Sequence, residues 1–86
     1  METAKLITEI ENVKNVTEAN VWEKGEMNRI YINFKSQNRF DATGSAKVYV
    51  DLNTNTLVHD VTKKECAGAA TFKNVMAAIE DIEELI

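Results

Sequence analysis

His59 and Cys66 are the only imidazole and the only thiol in the chain, and they stand seven residues apart. A Cys–His nucleophile needs the two groups within hydrogen-bond reach and a third group to orient the imidazole. Nothing in the sequence supplies that third group, so Cys66 is expected to be an ordinary buried thiol. Asp60 beside His59 is expected to form a sheet-surface pair. One Cys and one His also fall short of the nitrogen and sulfur tetrahedron of a structural zinc site. The glycines, Gly25, Gly44 and Gly68, are isolated, which leaves no phosphate-binding loop and no dinucleotide fingerprint. The chain is expected to be neither an enzyme nor a cofactor carrier.

Residue types suited to recognition are better represented. Tyr31 and Tyr49, flanked by Arg29, Lys35 and Lys47, have the makings of an aromatic and basic platform. Such platforms stack single-stranded bases at about 1–3 kcal/mol each, or the tyrosines simply pair across strands. Arg39 and Phe40 lie near the tip of a ten-residue loop, Ser36 to Ser45, with the composition of a protein-interface hot spot. Phe40 folding back onto the core is the alternative. Glu80, Asp81, Glu83 and Glu84 crowd the end of the last helix, where carboxylates oppose the helix dipole by about 0.3–1 kcal/mol each. They form either a solvated charged tail or an acidic patch that docks a basic partner.

The elements that must hold these residues follow from periodicity. Leu6, Ile7, Ile10 and Val13 make one stripe of a helix from about Thr3 to Lys14, with Thr3 as its N-cap and Asn15 as its stop. A first strand runs from about Thr17 to Lys24 and turns at Gly25. If Val21 faces inward, Trp22 joins Tyr31 on the outer face and enlarges an aromatic patch. Arg29–Phe34 and Lys47–Leu52 share one alternating template. Ile30, Ile32, Phe34, Val48, Val50 and Leu52 fall on one face, and Arg29, Tyr31, Asn33, Lys47, Tyr49 and Asp51 on the other. Antiparallel pairing then sets Tyr31 opposite Tyr49, Arg29 opposite Asp51, Ile30 opposite Val50, Asn33 opposite Lys47 and Ile32 opposite Val48. A turn at 53–56 leads to a fourth strand, Leu57 to Val61. Phe72, Val75, Met76, Ile79 and Ile82 mark a final helix from about Ala70 to Leu85. The expected fold is therefore α+β, a four-stranded antiparallel sheet with N- and C-terminal helices packed on one face, in the order α-β-β-β-β-α.

The chain has 86 residues, 44% hydrophobic and 28% charged, with a net charge of -4. That size fits one domain over residues 1–86. Charge is unevenly spread: net -3 over residues 1–28, +3 over 29–64 and -4 over 65–86. The absence of a bilayer-length apolar run or a signal-like N-terminus, together with a single cysteine, suggests a soluble protein of a reducing cytoplasm, with no membrane partner. An overall negative charge penalises approach to a polyanion, so direct nucleic-acid binding is not the first expectation.

In size, acidity, element order and the style of the Arg29–Phe34 and Lys47–Leu52 strands, the chain resembles the small orphan proteins of phages and mobile elements. Anti-CRISPR inhibitors are the best-known group among them. The resemblance is one of architecture and composition, and it carries no site residues over. It implies a stoichiometric inhibitor of a bacterial nuclease or its guide complex, an acidic helix meeting a nucleic-acid-binding channel. The expected function is accordingly that of a non-catalytic module that occupies a surface on a larger protein. Its binding elements would be Glu80, Asp81, Glu83 and Glu84 with Arg39 and Phe40, and secondarily the Tyr31 and Tyr49 face. A single-stranded nucleic-acid binder using that face, and a homodimer burying an edge strand or the tyrosines, are the alternatives.

Overall fold

Two antiparallel ribbons join edge to edge in a computed structural model that describes residues 2–35, 44–63 and 69–86. Arg39, Phe40 and Cys66, which figured in the sequence-based expectations, lie outside the described residues. The elements are α1 (Thr3–Glu11), β1 (Val16–Lys24), β2 (Met27–Phe34), β3 (Gly44–Asp51), β4 (Thr56–Lys63) and α2 (Ala69–Leu85). The strand order in the sheet is the chain order. The expected α-β-β-β-β-α architecture is the one found.

Helix α1 begins one residue earlier than its composition suggests. Glu2, not Thr3, occupies the N-cap position and makes no side-chain cap bond. The Leu6 N–H donates to the Glu2 carbonyl at 2.9 Å and closes the first turn. The helix also ends earlier, at Glu11 rather than near Lys14. Val13 N–H reaches back only three residues, to Ile10 O at 3.0 Å, and Asn15 takes a positive φ of 73°. Asparagine tolerates that left-handed geometry better than most residues, and the chain leaves it directly into β1. Nine residues make a marginal helix alone; burial of Leu6 and Ile10 against the sheet holds it.

The first hairpin closes on Gly25 and Glu26, with Lys24 opposite Met27. Gly25 has a φ of +59° at the first central position, where a two-residue hairpin favours glycine. Farther down the ribbon, the register slips between Val16 and Glu18. This bulge puts Val16 and Ala19, three residues apart, on the same buried face. It settles the orientation of the strand. Trp22 lies opposite Arg29 on the open face, while Val21 lies opposite Ile30 on the helix side.

Between β2 and β3 the register pairs Arg29 with Asp51, Ile30 with Val50 and Tyr31 with Tyr49. Ile30, Ile32, Phe34, Val48 and Val50 point to the helix-covered face and are buried. They meet Leu6 and Ile10 of α1 and Val75, Ala78, Ile79 and Ile82 of α2 in one apolar cluster, with Leu52 and Met76 packed at its margin. Full burial of one such side chain contributes about 1.5–3 kcal/mol. The two ribbons are further tied at their turns. Asn53 Nδ2 donates to Glu26 O, and Leu52 N–H to Asn28 O at 2.9 Å. Among the described residues, no helix is long and apolar enough to cross a membrane.

The inward row predicts a sharp contrast between neighbours in the register. Ile30→Ala, at a position with no exposed surface, should lower unfolding free energy by about 2–5 kcal/mol in urea titration followed by circular dichroism. Val21→Ala, opposite it but 40% exposed, should change it by less than about 0.5 kcal/mol. Equal effects at the two positions would contradict this core.

Candidate functional site

The helices cover one face of the sheet, and the other carries Trp22, Arg29, Tyr31 and Tyr49. Cross-strand register orders them in rows. One row runs Asn20, Tyr31, Tyr49, Val58 across the four strands, and the next runs Trp22, Arg29, Asp51, Thr56. Trp22 is diagonal to Tyr31, within reach of a large ring. Their centroids lie 6.1 Å apart with the planes at 75°, an edge-to-face contact. Tyr31 and Tyr49 are 5.4 Å apart and tilted by 47°. The expected tyrosine pair is therefore present, and Trp22 extends it to a chain of three rings. Trp22 stays 40% exposed, and Met27 of β2 and Val58 of the far strand β4 are also exposed.

Arg29 lies directly opposite Asp51, as its position in the strand suggests, but its head group turns elsewhere. Nη1 donates to the Tyr31 hydroxyl oxygen at 3.0 Å. The guanidinium carbon sits 4.3 Å from the centre of the Tyr49 ring, close enough for cation–π attraction. Asp51 instead accepts the Asn53 N–H at 2.9 Å. The bond to Tyr31 does most to raise the Arg29 pKa above its ordinary value; Tyr49 and Asp51 add to it and partial burial opposes it. The result is a permanent cation pinned over an aromatic surface.

Around this centre the charges alternate. Glu18 and Lys47 lie on the same face, as does Asp60, opposite Lys47 in β4. Asn33, expected opposite Lys47, donates its amide to Glu18 Oε1 at 3.0 Å. His59 and Asp60 do not form the expected surface pair. Adjacent strand residues point to opposite faces, and His59, opposite Val48, falls on the helix side. There His59 Nε2 lies 3.6 Å from Glu83 Oε1, with both side chains well exposed. Among the described residues, no group of three or more His, Cys, Asp or Glu is placed to hold a metal ion.

The acidic residues of α2 occupy the far side of the molecule. Glu80, Asp81, Glu83 and Glu84 are all exposed, while Val75, Ala78, Ile79 and Ile82 of the same helix are buried. No basic residue stands in its last turn to offset the dipole or the like charges at three- and four-residue spacing. The body thus has two unlike surfaces, an aromatic front with mixed charge and an acidic back. Val58 and Met27 went unforeseen as site residues, although the alternation that exposes Tyr49 and Arg29 exposes them also. Compared with protein-family models, with curated proteins and with solved structures, the chain matches none.

The ring contacts themselves are measurable. A double-mutant cycle of Trp22→Ala and Tyr31→Ala, read by urea denaturation, should give a coupling of about 0.5–1.5 kcal/mol. Additive losses would contradict the packed arrangement.

Proposed function

We propose that this protein is a non-catalytic interaction module that docks on a larger protein through its open sheet face. Trp22, Arg29, Tyr31 and Tyr49 form the centre of that docking surface. The observation that carries the reading is their contiguity: three rings in contact, a guanidinium fixed across Tyr31 and Tyr49, and Trp22 40% exposed. Trp, Tyr and Arg are the residues most enriched at interface hot spots. Here they are pre-ordered by one another, which lowers the entropy lost on binding. The alternating rim of Glu18, Lys47, Asp51 and Asp60 supplies polar groups for register.

Stacking of nucleic-acid bases is less well supported on the same face. Arg29 already lies over the Tyr49 ring, where a base would stack, and Glu18, Asp51 and Asp60 repel phosphates. A second protein-binding reading rests on the α2 stripe. Its four exposed carboxylates oppose their own helix dipole, and they suit a basic, nucleic-acid-binding effector. Stoichiometric inhibition of a bacterial nuclease by a phage-encoded protein belongs to this second reading.

The two surfaces are far enough apart to be tested separately. Immobilised protein should retain a specific partner from host extract. Trp22→Ala or Arg29→Ala should weaken that complex by about 2 kcal/mol or more, roughly thirtyfold in Kd. Replacing Glu80, Asp81, Glu83 and Glu84 by Gln or Asn should leave it within about threefold. The converse pattern would move the docking surface to α2. Salt-sensitive binding of oligothymidylate, lost on Tyr31→Ala, would replace the proposal with nucleic-acid recognition.

A further inference from the structure

Among the described residues, no strand lies beside the outer edge of β1, and the direction of its backbone groups can be read from one bond. Ala19 N–H turns away from β2 and donates to Glu11 Oε2 at 3.2 Å. With the period of a strand, the N–H and C=O of Val21 and Glu23 point the same way. Among the described residues, none bonds to these four groups. Two apolar side chains accompany them. Val21 and Trp22 are each 40% exposed, although Val21 belongs to the face that the helices cover.

The sequence around Val21 is self-complementary. Glu18 precedes it by three residues and Lys24 follows it by three, and both share the open face with Trp22. We propose that two copies of this chain pair their β1 edges antiparallel about a two-fold axis at Val21, giving a continuous eight-stranded sheet. In that register Val21 meets Val21, Asn20 meets Trp22, Ala19 meets Glu23, and Glu18 meets Lys24 twice over. The Val21 pair exchanges two backbone hydrogen bonds. Each Glu23 N–H finds an Ala19 carbonyl, so Glu11 keeps the Ala19 N–H and marks the end of the paired segment.

Other registers lose these matches. A slip of one residue turns each side chain to the wrong face, and a centre at Trp22 sets Glu18 against Glu26. The Val21 centre also places the two Trp22 rings as diagonal neighbours, roughly 7–8 Å apart on the backbone. The aromatic band of one copy then continues into that of the other. One opposing contact is built in, because Glu23 approaches Glu11 of the second copy. This repulsion weakens association, and Glu23→Gln should strengthen it.

Sedimentation equilibrium from the micromolar to the millimolar range tests the pairing, with circular dichroism to verify folding of each variant. The wild-type chain should rise from 9.7 kDa toward twice that mass. Lys24→Glu alone and Glu18→Lys alone should each weaken association about tenfold or more, and the double exchange should restore it. Val58→Asp, on the open face of the far strand, should leave it unchanged. A constant monomer mass, or a double exchange no tighter than the single ones, would overturn the proposal. So would loss of association on Val58→Asp, which would place the contact face to face instead.

Discussion

Everything in this molecule depends on the cross-strand match between Tyr31 and Tyr49. Because strand side chains alternate, fixing one pair fixes the face of every residue in β2 and β3. Ile30, Ile32, Phe34, Val48 and Val50 are thereby committed to the core, and Arg29, Lys47 and Asp51 to the opposite side. Moving β2 by one residue would turn Arg29, Tyr31 and Asn33 inward and expose Ile30, Ile32 and Phe34, and moving β3 would turn Lys47, Tyr49 and Asp51 inward and expose Val48 and Val50. At about 1.5–3 kcal/mol for each buried side chain, either slip forfeits a large share of the stability of a domain this size. The register is thus held by the core, and the aromatic face is its necessary counterpart.

The same constraint explains which features were legible from sequence. The stripe of α2 and the Arg29–Asp51, Ile30–Val50 and Tyr31–Tyr49 pairs of β2 and β3 follow from strong, uninterrupted periodicity and are found; the further pairs Asn33–Lys47 and Ile32–Val48 are absent from the observed register. The bulge in β1 was not foreseen. Val16 and Ala19 are separated by three residues, a spacing that fits neither strand period nor a clear helix, and only the hairpin closed by Gly25 anchors the register beyond it. Helix α1 ends before its apolar stripe does, because Val13 continues that stripe beyond Glu11. Val13 does pack against the core, but from outside the helix, after the turn at Asn12. The Glu11 contact with Ala19 N–H depends on where α1 lies against the edge strand, which no local pattern encodes.

At the open face, residue types were legible but their partners were not. Arg29 was expected to pair with Asp51 because they are directly opposed. The structure sends the guanidinium to the Tyr31 hydroxyl and the Tyr49 ring, while Asp51 bonds locally to Asn53. Between exposed groups an ion pair is worth little, and a cation held over aromatic rings competes well with it. A flexible surface arginine becomes an ordered one, joined to Tyr31 and Tyr49, and the face gains the residue types common at binding surfaces. The acidic residues of α2 lie on the other side because the core stripe of the helix takes up its sheet-facing half.

The central claim can be tested in solution through the backbone of the tyrosine pair. The Leu52 N–H donates to Asn28 O, which marks 28 and 52 as a hydrogen-bonded position of the ladder, and by alternation Tyr31 and Tyr49 fall at a non-hydrogen-bonded one. Their Cα atoms should lie about 4.5 Å apart. A nuclear Overhauser spectrum should therefore show a strong Hα–Hα cross-peak between Tyr31 and Tyr49, with ring contacts from Tyr31 to Trp22. A cross-peak from Tyr31 Hα to Val48 or Val50 Hα in its place, or tyrosine ring contacts to the methyl groups of Ile79 or Ile82, would contradict the account.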